Sequence, residues 1–167
     1  MILGDKPKKM KPHKLFDKID ISFLSPYPDV IELGTVVEEI ENKVPPCLFQ
    51  EVDVIYVGNL DFLSDESVSS KYMDNAIYLT NMVAYESDIV CDIIFALGEF
   101  LEKKYMHLIY ENTKVVQELS ESPTVQDVKE SFIENFYEYM IEDSEIVKDR
   151  CPTLCYIIEE MIKNESC

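Results

Sequence analysis

The sequence predicts a single α+β domain in which a short sheet packs on a central helix, and three observations carry that prediction. An amphipathic helical pattern comes first, two strand patterns follow it, and the apolar residues after the second strand recur at helical spacing only. The chain has 167 residues, 47% of them hydrophobic, which suffices for one core and leaves little for a second.

Residues 1–28 carry Pro7, Pro12, Pro26 and Pro28, which interrupt regular structure, and are predicted to form an extended arm ahead of a body spanning 29–167. In the body, Val30, Ile31, Leu33, Val36, Val37 and Ile40 recur at helical spacing, and Pro45-Pro46 ends the pattern, so a helix is predicted over 30–43. The run EVDVIYVG alternates and ends on Gly58, which predicts a mostly buried strand over 51–58. A second strand is predicted over 76–81, AIYLTN, beyond a polar loop. The central helix starts near Glu86 or Ser87, where first-turn acids favour the helix dipole, and runs to about Lys104. A further helix over 124–143 presents Val125, Val128, Phe132, Phe136, Tyr139 and Met140 before a polar break at Asp143. A short closing helix follows, with Pro152 in its first turn.

Charge narrows the function. The net charge of -18 disfavours phosphate-rich partners for the body, because nucleic acids and anionic membranes are held by Lys and Arg. Residues 1–18 are the exception: six lysines stand against Asp5 and Asp17 for a net of +4, leaving -22 for the remainder. Nucleic acid is therefore not expected except through this arm, whose Lys8, Lys9 and Lys11 are the expected partner contacts, to an acidic surface or to nucleic acid. No apolar run approaches the roughly 20 residues of a membrane span, and no signal-peptide pattern follows the N-terminal lysines. A chain in the cytoplasm, with no membrane partner, is expected. Five scattered cysteines without a Cys-x-x-Cys pair predict reduced thiols rather than a disulfide framework or zinc knuckle.

The central helix, DIIFALGEFLEKKY over 92–105, holds the most informative residues. At 100° per residue, Asp92, Phe95, Ala96 and Glu99 share one stripe, which contains the only carboxylates between Asp88 and Glu102. Read by themselves, Asp92 and Glu99 make an ordinary polar edge of a buried helix, Glu130 a first-turn acid, His107 a solvated or capping residue, and Cys91 a core thiol.

The order of elements and the residues within them resemble the small, often phage-encoded gluzincin metallopeptidases related to the catalytic domain of anthrax lethal factor. PPCLFQEVDVIYVG resembles that family's first strand, NAIYLTN its substrate-pairing edge strand, and YESDIVCDIIFALGEFLEKKY its active-site helix. VKESFIENFYEYMIEDSEIVKDRCPTLCYIIEEM is similar to its closing segment. The resemblance implies a zincin-like fold and assigns Phe95 to the first zinc ligand, Ala96 to the general base, Glu99 to the second ligand and Glu130 to the third.

At these positions the chain departs from the family's His-Glu-x-x-His. Phenylalanine cannot ligate zinc and alanine cannot move a proton, and the family's transition-state tyrosine has no counterpart in SESPTVQD. The expectation is a catalytically inactive metallopeptidase-fold protein, with no catalytic residue, metal or cofactor. It would serve a structural or protein-binding role in a bacterial host or as a phage virion or assembly component. Ala76, Ile77, Tyr78, Leu79 and Thr80 are expected to offer a sheet edge to an extended partner, beside the lysine arm. The alternative is a hydrolase whose site has been rebuilt around Glu99 and Glu130.

Overall fold

The computed structural model describes residues 13–25, 31–120 and 124–165, and these form an α+β domain with five strands and eight α-helices among them. The strands are β1 (His13–Leu15), β2 (Ile19–Phe23), β3 (Val54–Gly58), β4 (Ser70–Met73) and β5 (Ala76–Thr80). They lie in the order β1-β2-β3-β5-β4, with the three central strands parallel and each outer strand antiparallel to its neighbour.

Side-chain alternation explains why this sheet has one buried face. Ile21, Ile55 and Ile77 stand in register across the three central strands and are buried. One residue further along, Ser22, Tyr56 and Tyr78 occupy the opposite face; Tyr56 and Tyr78 stack at 5.3 Å, and Phe62 meets Tyr78 edge-on. The β4–β5 hairpin closes through Asp74 and Asn75, whose φ values of 51° and 61° suit a two-residue turn that matches strand twist. Asp and Asn tolerate that left-handed backbone better than other residues with a side chain.

The helices are α1 (Leu33–Lys43), α2 (Asp61–Glu66), α3 (Glu86–Lys104), α4 (Met106–Tyr110), α5 (Thr113–Leu119), α6 (Val125–Tyr137), α7 (Ser144–Arg150) and α8 (Pro152–Asn164). α3 is the central element. Ile89, Val90, Ile93, Ile94, Leu97 and Leu101 are buried along it, and it packs on the sheet, α1 and α6. Asp88 accepts the backbone N–H groups of Ala84 and Tyr85, each at 3.0 Å, which satisfies donors at its entry. α6 begins with a Thr124–Asp127 capping box and ends in a π turn over Glu138–Glu142. Arg150 supports that turn by donating to Asn135 at 2.7 Å and Glu138 at 2.5 Å. Glu118 accepts the N–H groups of Thr153 and Leu154 and so caps α8 from α5.

Several expectations change. The boundary at residue 28 does not separate an arm from a body, because β1 and β2 belong to the sheet and Leu15, Ile19 and Ile21 to the core. Lys8, Lys9 and Lys11 lie outside the described residues. The strand of Ala76, Ile77, Tyr78, Leu79 and Thr80 is not an edge, since β3 pairs with one side of it and β4 with the other. Cys47 is disulfide-bonded, so the thiols are not all reduced, while Cys91, Cys151 and Cys155 are free. The stretches left without helix, around 61–66, 106–119 and 144–150, hold α2, α4, α5 and α7.

Candidate functional site

A cleft of about 340 Å³ opens between the start of β4 and α6, with α3 as its floor. Phe95, Ala96 and Glu99 line it from α3, and Lys129, Glu130 and Ile133 line it from α6. The four positions singled out in the sequence, Phe95, Ala96, Glu99 and Glu130, thus meet in space. The 3.6-residue repeat of α3 places the first three on one stripe, and the packing of Phe136 against Gly98 brings α6 alongside it.

The chemistry of that convergence is mostly apolar. Phe95 is half-buried and packs edge-on against Tyr137 at 5.6 Å; Ala96 is buried. Burial pushes the Glu99 carboxyl up, but Lys129 at 2.8 Å and Lys103 at 3.5 Å outweigh it and hold the carboxyl below its ordinary value. Glu99 is an ionised, lysine-bound carboxylate, which is a poor proton acceptor at neutral pH. Glu130 is exposed and accepts from Gln126 at 2.5 Å.

Neither histidine lines the cleft: His13 is in β1 at the far edge of the sheet, and His107 is exposed in α4. Among the described residues no group of three His, Cys, Asp or Glu side chains is arranged to hold a metal ion. No helix among them is long and apolar enough to cross a membrane.

The wall opposite α6 was not foreseen. It comes from Ser67, Val68, Ser69 and Ser70, leading into β4, an outer strand of the sheet with no further strand beside it among the described residues. In a two-residue hairpin the closing pair is hydrogen-bonded and pairs then alternate along the ladder; Thr80 N–H donating to Ser69 O at 2.9 Å fits that phase. Ser70 and Tyr72 therefore turn their own N–H and C=O groups away from β5, and no backbone partner meets them among the described residues. The usable sequence signal was the Asp-Asn pair between SSKYM and AIYLT, which marks a hairpin rather than a strand after a loop.

A second cleft, of about 290 Å³, lies on the other side of Ser69 and is lined by Thr80, Met82, Val83, Asp88, Cys91 and Asp92. Ser69 Oγ donates to Asp92 Oδ1 at 2.5 Å, so this bond divides the trough above α3 into two.

No protein-family model, no curated protein and no solved structure matches the chain. The likeness to gluzincins rests on the residues quoted for it and on nothing further.

Proposed function

We propose that this chain is a non-catalytic, metallopeptidase-like binding protein whose contact surface is the open edge of β4 and the cleft beside it. The observation that carries this reading is the convergence of Phe95, Ala96, Glu99 and Glu130 beside an outer strand whose outward backbone groups meet no backbone partner among the described residues. The place suits an extended polypeptide, while its side chains suit packing rather than hydrolysis. The apolar floor can bury a partner side chain, and the outward N–H and C=O groups of Ser70 and Tyr72 can pair with its backbone. Strand addition is thereby moved from residues 76–80, enclosed on both sides, to 70–73.

Two measurements test it. Purified protein is expected to hold no stoichiometric zinc and to leave peptide libraries uncut. Stoichiometric zinc with cleavage that Glu130→Ala abolishes would replace this reading with a hydrolase built on Glu99 and Glu130. Proline at Ser70 removes an outward N–H and spares the ladder to β5. Ser70→Pro is therefore expected to keep the thermal midpoint and weaken binding of a fluorescein-labelled Thr-Val-Lys-Val-Thr-Val-Lys-Val peptide about tenfold, the equivalent of one hydrogen bond. Equal binding by both proteins, or none by either, would remove β4 from the reading.

A further inference from the structure

We propose that the cleft over Asp92 is a recognition pocket for one cationic side chain, a lysine or an arginine, on the segment that adds to β4. The proposal rests on the binding function argued above and assigns a partner chemistry to its second cleft.

The two clefts flanking Ser69 differ in electrostatics. In the one beneath β4, the chain's own lysines, Lys129 and Lys103, answer Glu99. In the other, Asp88 and Asp92 line the wall and no lysine or arginine does, and among the described residues neither aspartate takes part in an ion pair. Asp92 is only 8% exposed, yet its sole donor among the described residues is the Ser69 hydroxyl, and its second oxygen accepts nothing there. A buried carboxylate normally collects several donors, because burying an unanswered charge is costly. One supplied by a ligand would complete this one.

The surroundings bear the signature of uncompensated negative charge. Burial raises the Asp92 carboxyl above its ordinary value even against the Ser69 bond, and Asp88 adds to the rise. Cys91, in the same wall, is pushed up to about 11, by burial first and then by Asp92, Asp88 and Glu142. The thiol is therefore neutral at physiological pH and does not compete for a cation as a thiolate would.

Shape agrees with charge. Met82 and Val83 line the same cleft, and Met82 is 80% exposed at its mouth. An apolar flank before an acidic end suits a side chain with a methylene stem and a charged head, as lysine and arginine have. A compact metal ion would gain nothing from that flank, and the two aspartates alone fall short of the oxygen ligands hard cations take.

The test uses the side-chain head and stem by themselves, so that it does not depend on a partner's sequence. Titrating ¹⁵N-labelled protein with n-butylammonium and with n-butylguanidinium is expected to give saturable shifts confined to Thr80, Val83, Asp88, Cys91, Asp92 and their neighbours. n-Butanol at the same concentrations is expected to give none that saturate. Asp92→Asn keeps an acceptor for Ser69 and removes the charge. It is expected to weaken binding of the two cations at least tenfold at an unchanged thermal midpoint.

Absence of saturable shifts, shifts centred on other acidic residues, or equal affinity in Asp92→Asn would overturn the pocket. A pocket that binds both cations in a protein whose Ser70→Pro variant still takes the peptide would keep the cation pocket and overturn both strand addition and the placing of the pocket's occupant on a segment added to β4. Ser70→Pro sensitivity without cation binding would keep strand addition and overturn the pocket.

Discussion

Phe136→Ala is expected to lower the unfolding free energy by about 3–5 kcal/mol, as truncation of a fully buried aromatic side chain does when its surroundings cannot collapse. Phe136 has no exposed surface, and its ring stacks on Phe132 with centroids 6.0 Å apart. It also presses on α3 at Gly98, where an added Cβ would come within 3.3 Å of its Cδ1 atom. The contact matters to the site because α6 carries Lys129, Glu130 and Ile133, one whole wall of the cleft. Urea unfolding should show the loss as a lower midpoint at constant slope. A loss below about 1 kcal/mol would mean that the helix pair adapts to the missing ring and that this packing does not hold the wall in place.

Stability is expected to fall between pH 10 and about 12 as Tyr105 ionises, and Tyr105→Phe is expected to remove that part of the decline. Tyr105 is buried and donates to Glu165, which Lys104 also engages at 2.5 Å. Burial first, and then the bond to Glu165, push the phenol from 10.0 up to about 12. A group whose folded-state value is raised contributes stability that is complete below the unfolded value and is lost as pH climbs through the folded one. Below pH 10 the wild-type protein should therefore be the more stable of the two, and the gap should close as pH approaches 12. Parallel denaturation curves for the two proteins across that window would refute the assignment and shift the alkaline sensitivity to other groups.

The latch around Tyr105 shows where sequence reading runs short. Glu165 is sixty residues from Tyr105 along the chain, and nothing in MIKNES marks its glutamate as buried rather than solvated. Gln50 adds to the same latch by donating to the Glu165 carbonyl at 2.6 Å. Such long-range polar partners have no periodicity to betray them. The long helices, by contrast, were legible at close to residue precision: the pattern predicted from Glu86 or Ser87 to about Lys104 is α3, Glu86–Lys104. Its apolar residues recur at a spacing that only a helix can bury.

The short elements failed for the opposite reason. α2, α4 and α7 span six, five and seven residues, too few turns to show a repeat. β1 and β2 were obscured by the lysines and prolines around them, and alternation in IDISF is too brief to stand out from an extended arm. For the candidate site, helical geometry put Phe95, Ala96 and Glu99 on one stripe, and the family resemblance paired Glu130 with them. The Ser67–Ser70 wall and Lys129 were missed, because their roles depend on which elements become neighbours.

By itself the sequence determined the α+β class, the central helix and the identity of the residues along its stripe, since these follow from local periodicity and from side-chain chemistry. It also determined that this stripe carries phenylalanine and alanine at 95 and 96, side chains that neither ligate a metal nor move a proton. Only the tertiary structure decided that residues 76–80 are enclosed and that 70–73 form an outer strand with no further strand beside it among the described residues, because strand neighbours are chosen by pairing and not by the strand's own pattern. The same holds for charge: Glu99 and Asp92 sit seven residues apart on one helix, and only packing gives the first its lysine and leaves the second with a single hydroxyl.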